Sequence, residues 1–241
     1  MSVPDATAME EHGTPLAPAV RDDRGTPDRI AAAIVRGILE RRYMPGERVT
    51  EAELTSTFGV GRGAVREAFR ILSASGAIEL SRHRGAVICT LTEADCRDLL
   101  DVTEMLLGLA ARSAARSIEF GNNRAMLGKV AQALRQRHSG RALPNVLDER
   151  LDFYNVMLRI AANRELERAL PLARAQIFRA QFYEHLTPDD LRAMIEEYRA
   201  IVDAILDGDE AKAERRMREH VERTGDRLMP RVFKHWRRKR G

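Results

Sequence analysis

Apolar residues recur at helical spacing through most of the chain and become strand-like only in one short stretch. Residues 1–25 hold proline, glycine, acidic and small residues without an apolar period, so we predict a disordered N-terminal arm there. Thr26 and Pro27 then begin a predicted helix, because proline suits the first helical position. Its isoleucines repeat every four positions, which predicts one buried face on a helix that ends near Arg42.

A capped helix, a tight turn and a second helix follow between Thr50 and Gly76. Thr50 and Glu53 have the spacing of a capping box, in which each side chain accepts a hydrogen bond from the backbone amide of the other residue. We therefore predict a helix over residues 51–57. After a glycine-containing turn, a longer helix is predicted over residues 62–75, and Gly76 tolerates the positive φ that ends it.

Two short β-prone runs come next, at residues 77–80 and 86–90. They flank the basic turn Ser81-Arg82-His83-Arg84-Gly85. This pattern predicts a small hairpin whose turn can lie against DNA phosphates or a minor groove.

From about Thr92 onward the pattern is almost entirely helical. Glycine, asparagine, proline and capping residues divide this region into segments. The predicted helices cover residues 93–119, 122–138, 144–162, 164–185, 188–206 and 209–234. Six helices of this length predict a bundle whose interior can hold a small molecule.

Arginines form a stripe on the longer helix of the first region. Arg62, Arg66 and Arg70 lie at intervals of four, beside the apolar face. Guanidinium groups suit guanine O6 and N7 or phosphate oxygens. Such a stripe is also typical of a solvated surface, but this one follows a capped helix and precedes a basic hairpin. Together these features predict that the stripe, with Arg84, binds double-stranded DNA.

Composition narrows the possible classes of protein. The chain has 241 residues, a formal net charge of +4 and 32% charged residues, which is typical of a soluble protein with room for two domains. It has no run of about 18 apolar residues and no secretory signal pattern, so we predict neither a membrane span nor export. Cys89 and Cys96 are its only cysteines, which favours a reduced, cytoplasmic location without a disulfide framework.

Three segments of the first region resemble the winged helix-turn-helix of the GntR superfamily of bacterial transcription regulators. They are PGERVTEAEL, FGVGRGAVREAFRIL and SRHRGAVI, and the resemblance covers about residues 26–90. It implies that Arg62 and Arg66 contact operator DNA and that Gly85 of the wing approaches the minor groove.

The chain departs from the family pattern at the start of the recognition helix. Where the family has serine, threonine and proline, this sequence has Gly61, Gly63 and Ala64. Two hydroxyl contacts to phosphate are therefore missing, and the helix start is more flexible than usual. We expect operator affinity or sequence preference to differ from the family norm.

The helical region resembles the FCD effector module of the FadR subfamily of GntR regulators. The resemblance rests on LLDVTEMLLGLAARSAAR, on Phe153 followed by Asn163, and on EYRAIVDAILDGDEAKAERRMREHV. It implies a ligand-gated regulator, commonly a homodimer, that senses an organic acid or a related metabolite.

Many FCD modules bind a divalent metal through one aspartate and three histidines. These positions fall on Arg150, Tyr154, Tyr198 and His220 here, so only the last histidine is kept. A transition metal prefers several imidazole or carboxylate ligands, and an arginine would repel it. We therefore predict no metal and no other cofactor. A guanidinium, two phenols and an imidazole around a cavity would instead suit a carboxylate or phenolic effector.

A plainer interpretation of these residues remains open. Arg150 could pair with Asp148 or Glu149 near the surface, while the tyrosines pack in the core. His185, at a helix end, is a second candidate polar group, although such a position is more often structural. Three further arginines are mainly interpreted as solvated, with one of them a candidate to enter the cavity: Arg168, Arg174 and Arg179.

Taken together, the patterns and resemblances predict a mainly α protein. A winged helix-turn-helix with a β-hairpin wing is expected over residues 26–90. An all-α, six-helix, FCD-like effector-binding and dimerisation domain should follow over residues 91–235, and a basic tail over residues 236–241. The predicted function is a GntR/FadR-type transcription regulator, a repressor or an activator, whose operator binding is modulated by a small metabolite such as an organic acid.

Two alternatives belong to other functional classes. The first is an architectural DNA-binding protein without an effector. The second is an enzyme housed in the bundle, but the sequence has no nucleophile elbow, no phosphate loop and no convincing acid–base pair. We therefore predict that the protein is not an enzyme.

Overall fold

The computed structural model describes residues 25–81, 85–135 and 144–234 of the chain. The predicted arm up to residue 24, Arg84 and the predicted basic tail lie outside these residues. Within them the protein is mainly helical, as predicted. No helix in this described part is both long and apolar enough to cross a membrane.

The N-terminal domain is a winged helix-turn-helix. Its elements are α1 (Thr26–Leu39), β1 (Arg48–Thr50), α2 (Glu51–Phe58), α3 (Arg62–Ala74), β2 (Ile78–Ser81) and β3 (Gly85–Ile88). The strands form an antiparallel sheet in the order β1-β3-β2, in which β2 and β3 are the predicted hairpin. Strand β1 was not predicted, because it is only three residues long and is defined by its pairing with β3.

Local signals place α3 with one face outward. The Thr50 Oγ1 atom accepts a hydrogen bond from the Glu53 amide at 3.2 Å, which completes the predicted capping box of α2. Gly59 ends α2 with a φ of +62°. Helix α3 then packs buried residues such as Val65 and Phe69 against α1. The opposite face of α3 is therefore left to solvent.

The C-terminal domain is all helical. Its elements are α4 (Glu93–Arg116), α5 (Asn123–Arg135), α6 (Pro144–Ala161), α7 (Arg164–Ala169), α8 (Leu172–Phe182), α9 (Pro188–Leu206) and α10 (Glu210–Val232). Helices α4 and α10 pack along much of their length, and glycines allow this close approach. A Cβ atom on Gly108 would lie 2.7 Å from Cγ of Arg218, and one on Gly225 would lie 2.9 Å from Cδ1 of Leu100.

One predicted helix is divided in the structure. The segment over residues 164–185 was expected to be continuous, but Leu170 is extended and Pro171 precedes a new helix, α8. Proline lacks the amide that would continue a helical hydrogen-bond ladder, and it disfavours a helical conformation in the residue before it. The break lets α8 change direction and enter the interior, where it is buried on several sides.

Helix α8 also contacts the DNA-binding domain. It packs against α1, and Arg174 lies beside Gly76, at the end of α3. Gln181 holds the segment that joins the domains: its Oε1 accepts from the Leu91 amide and its Nε2 donates to the Leu91 carbonyl, both at 2.8 Å. The same helix therefore belongs to the bundle and braces the winged domain.

Candidate DNA-binding surface and effector cavity

The predicted arginine stripe lies on the solvent-facing side of α3. Arg62, Arg66 and Arg70 are all exposed, opposite the buried face of the helix. Arg66 Nε lies 3.0 Å from Glu51 Oε1, and Arg70 Nη1 lies 2.9 Å from Oε2 of its neighbour Glu67. Exposed ion pairs of this kind contribute only about 0–1 kcal/mol, so the guanidinium groups can exchange these partners for DNA at little cost.

The wing glycine has a structural role that the sequence did not reveal. A Cβ atom on Gly85 would lie 2.9 Å from the backbone oxygen of Val49, on the paired strand β1. A side chain at this position would therefore push the two strands apart. Close packing within the sheet is sufficient to explain the glycine, and its predicted approach to a minor groove stays a prediction.

The start of α3 is open. Gly61 is the N-cap residue and makes no side-chain hydrogen bond to the helix, and a Cβ atom on Gly61 or Gly63 would meet nothing within 4 Å. The missing hydroxyl groups are therefore not required by packing.

A cavity lies inside the bundle, between α4, α6, α8, α9 and α10. It holds about 60 Å³ of space for water-sized atoms. One water needs roughly 10–15 Å³ of such space, so the cavity has room for a small molecule. Its apolar walls include Leu99, Leu100, Leu107, Phe178, Val221 and Leu228.

Three of the four predicted effector residues line this cavity: Arg150, Tyr154 and His220. The fourth, Tyr198, lies behind them. Its ring centroid is 4.6 Å from that of His220 and 6.1 Å from that of Tyr154. Its buried hydroxyl lies close to the Arg150 guanidinium and the Tyr154 hydroxyl, and burial holds the pKa of this phenol well above its usual value.

Arg179 of α8 also lines the cavity, which the sequence analysis left as a lesser possibility. The Cζ atoms of Arg150 and Arg179 lie 5.5 Å and 5.8 Å from the ring centroid of Tyr154. Burial, and then the positive charge of Arg150, lower the pKa of Arg179 to about 9. The sequence of α8 does contain a signal for this position of Arg179, because its apolar residues are not gathered on one face of the helix. A helix of that kind is buried on several sides, so some of its polar side chains also point into the interior.

His220 is held by a buried ionic cluster on its far side. Its Nδ1 lies 2.7 Å from Glu197 Oε2, and Arg227 Nη1 donates to the same oxygen at 3.2 Å. Burial raises the pKa of Glu197, but the hydrogen bonds from His220 and Arg227 outweigh it and lower that pKa to about 2. Burial lowers the pKa of His220, so the neutral ring donates through Nδ1 and leaves Nε2 available to the cavity.

Comparisons with known proteins identify both domains. Residues 26–88 match the gntR family of bacterial regulatory proteins, and residues 98–223 match the FCD domain. The chain belongs to the GntR family and carries an FCD domain. It is thus a DNA-binding transcription regulator with a C-terminal effector-binding domain, not an enzyme.

Its relatives include two repressors. The chain is 28% identical over 219 residues to a probable D-xylose utilization operon transcriptional repressor of Paenarthrobacter nicotinovorans, covering 90% of each protein. It is 29% identical over 209 residues to the galactonate operon transcriptional repressor of Escherichia coli, covering 77% of this chain and 90% of the relative.

Solved structures show the same fold at low sequence identity. Escherichia coli McbR/YncC superposes with a TM-score of 0.72 at 16% identity and covers 86% of this chain and 99% of its own. A GntR regulator from Rhodococcus sp. RHA1 gives a TM-score of 0.65, also at 16% identity, and covers 88% of this chain and 99% of its own.

The divalent metal found in many FCD domains does not fit the residues of this cavity. His220 is the only histidine in the cavity lining, and two arginines line the cavity beside it. In the ranges that the structure describes, no group of three His, Cys, Asp or Glu side chains could hold a metal ion. A divalent cation prefers anionic or imidazole ligands and would be repelled by the guanidinium groups.

Proposed function

We propose that the protein is a homodimeric repressor whose binding to operator DNA, through α3 and the wing, is controlled by a small organic acid in the bundle cavity. The observation that carries this proposal is the position of α8, which lines the cavity and also braces the DNA-binding domain. As a regulator of operator DNA, the protein would act in the cytoplasm.

The two sides of α8 make different contacts. Phe178, Arg179 and Phe182 line the cavity. On the side of the winged domain, Arg174 lies beside Gly76 and Gln181 accepts a hydrogen bond from the Leu91 amide. A ligand that draws in Arg179 would shift or tighten α8 and thereby change the placement of α3. This is a population shift between two arrangements of the winged domain, favoured by the ligand's differential affinity for them.

The relatives support repression and a sugar-linked or acidic effector. Two of them are named as repressors, one of D-xylose utilization and one of a galactonate operon. The arginines of the cavity favour a carboxylate over a neutral sugar, since a guanidinium forms paired hydrogen bonds with a carboxylate. A phenolic compound remains the second ligand class to test.

An apolar stripe on α4 supports the homodimer. Val102, Met105 and Leu109 are 51%, 55% and 42% exposed and recur at helical spacing on one face. An exposed stripe of this kind is typical of a protein–protein contact. Replacing Met105 by Glu should convert the dimer to a monomer in sedimentation velocity, and an unchanged dimer would reject this face as the interface.

The proposed function is tested by gel shift on the DNA upstream of the protein's own gene, at a fixed salt concentration, with a panel of small carboxylates and phenolics. We expect one specific complex that a member of the panel releases. Specific binding that no compound alters would favour an architectural DNA-binding protein and would reject effector control.

The role of α8 is tested in the same assay. Replacing Gln181 by Ala should leave operator binding intact but reduce the response to the effector, because the link to Leu91 is lost. Replacing Gln132, an exposed glutamine on α5, by Ala is the matched control and should change neither property. Equal responses in the two variants would reject α8 as the connection.

A further inference from the structure

The cavity contains two cationic side chains and no described carboxylate that neutralises them. Arg150 and Arg179 both line it, and the Nε atom of each is buried without a hydrogen-bond partner among the described residues. The one side-chain partner of Arg179 there is neutral: its Nη1 donates to Gln176 Oε1 at 2.9 Å. Other buried charges of this bundle are paired, as Glu197 is with Arg227.

Such an arrangement is unfavourable unless something compensates it. Burial of an unpaired charge costs free energy, and two like charges near the same ring repel each other. The cost is offset when an anion binds between them. Among the described residues, the side-chain partners of these arginines are neutral: Gln176 for Arg179, and the Tyr154 and Tyr198 hydroxyls for Arg150. The missing carboxylate therefore indicates the charge and the position of a ligand.

We infer that the cavity binds a small aliphatic dicarboxylate without a metal ion, with Arg150 and Arg179 each holding one carboxylate. This inference rests on the proposed function, in which the cavity is the effector site, and it names the ligand class.

The shape and chemistry of the cavity favour this class over other acids. The arginines come from different helices, α6 and α8, and both lie against the ring of Tyr154. Two cations that reach the cavity from different helices can each hold one of the two carboxylates of a short molecule. The leucine and phenylalanine side chains of the lining suit its hydrocarbon spacer.

A polyhydroxylated sugar acid fits less well. Its hydroxyl groups would each need a hydrogen-bond partner, because buried polar groups without one are costly. Thr103 offers a buried hydroxyl without a partner among the described residues, whereas the hydroxyl of Thr224 already donates to the His220 carbonyl. Most of the other lining side chains are apolar, so a ligand with a hydroxyl group on every carbon would leave some of them without a partner.

Isothermal titration of the full chain with succinate tests the inference. The protein is first treated with EDTA and dialysed into a chloride buffer free of other anions. Butyrate is the matched control, because it has the same number of carbon atoms and only one carboxylate. Gluconate represents sugar acids, and inorganic phosphate tests whether any dianion suffices.

We expect succinate to bind with about tenfold or greater preference over butyrate, gluconate and phosphate. Replacing Arg150 or Arg179 by Gln should weaken succinate binding by about tenfold or more. Replacing Arg168 by Gln is the control, because Arg168 is exposed and paired with Glu165 on the surface. Thermal melting of each variant checks folding, and Arg179→Lys provides a second variant that keeps the charge.

Several results would overturn the inference. These are no binding of succinate, equal binding of butyrate, binding that appears only when a divalent metal is added back, or Arg150 and Arg179 variants that bind as well as the Arg168 variant. The proposed function is judged separately by the gel shift. If another compound releases the operator while succinate does not bind, effector control stands and the dicarboxylate is rejected.

Discussion

Arginines on α3 and arginines in the cavity have the same chemistry and opposite surroundings. On α3, Arg66 and Arg70 keep 56% and 75% of their side chains exposed and pair with neighbouring glutamates. In the cavity, Arg150 and Arg179 have buried Nε atoms and no carboxylate partner among the described residues. The exposed set exchanges partners easily, because water screens its ion pairs. The buried set is costly until an anion arrives.

This difference assigns a separate task to each set. A long, highly charged polymer such as DNA needs many accessible cations, each of which contributes modestly and is sensitive to salt. A small anion needs few cations, held in fixed positions away from water. Helix α8 joins the two tasks, because it carries Arg179 on one side and contacts the winged domain on the other.

The largest expected effect is the loss of operator affinity when an exposed arginine of α3 is replaced. Replacing Arg62 or Arg66 by Ala should weaken specific operator binding by roughly 1–3 kcal/mol, provided that the side chain contacts guanine. Gel shifts at one stated salt concentration measure this loss. Arg168→Ala, on the exposed surface of α7, is the control and should bind as the native protein does. Unchanged affinity in both α3 variants would reject α3 as the recognition helix.

The second largest expected effect is a change of succinate affinity with pH, which depends on the buried Arg179 and not on the exposed arginines of α3. The pKa of Arg179 is about 9, so this side chain is charged near neutral pH and loses its proton as the pH rises past that value. Succinate affinity should therefore fall by about tenfold between about pH 8 and about pH 10. Calorimetry on Arg179→Gln supplies the comparison, because its weaker binding should lack this step. A step of equal size in that variant would assign it to another group.

The free energy of unfolding of the ligand-free protein should show how much the buried charge of Arg179 destabilises the fold. Burial holds the pKa of Arg179 below its value in the unfolded chain. Below about pH 9 the side chain is charged in both states, and burying this charge lowers the free energy of unfolding. As the pH rises past about 9, the folded protein loses the proton and this loss of stability is relieved. Replacing Arg179 by Gln should raise the free energy of unfolding near neutral pH by about 1 kcal/mol, because it removes a charge that has no carboxylate partner among the described residues. Urea unfolding measures it, with Arg168→Gln as the control. A clear loss of stability would mean that Arg179 has a stabilising partner.

The exposed surface could be predicted from the sequence far better than the cavity. Thr50 and Glu53 cap α2 through local spacing, and the stripe on α3 needs only the helical repeat, so neighbours along the chain determine both. Strand β1 could not be predicted in this way, because its three residues become a strand only by pairing with β3. Its existence depends on contacts between distant parts of the chain.

The cavity residues depend on how whole helices are placed. Resemblance indicated Arg150, Tyr154, Tyr198 and His220 as effector residues. The structure has Arg150, Tyr154 and His220 in the cavity lining and Tyr198, on α9, behind them, and their role in binding stays a prediction. Arg179 was missed as a main candidate because the break at Pro171 sends α8 into the interior. A single sequence shows that α8 is apolar on several sides, but not which neighbours cover it.

The smallest expected effect returns to the start of α3, where Gly61 supplies no side-chain cap. Serine fits there without a clash, since a Cβ atom at Gly61 would meet nothing within 4 Å. Its hydroxyl can accept a hydrogen bond from the first turn of the helix, so Gly61→Ser should stabilise the protein by a few tenths of a kcal/mol, roughly the difference between glycine and serine caps. The same hydroxyl lies at the end of α3 that is predicted to face DNA, so operator affinity should rise by a similar amount.

Gly128→Ser, on α5 and equally free of contacts, is the matched control: it should gain helix stability without a gain in operator affinity. Gel shifts of the two variants side by side therefore separate a general effect on folding from a local effect on DNA binding. Equal affinities would show that the missing hydroxyl does not limit operator binding by this regulator.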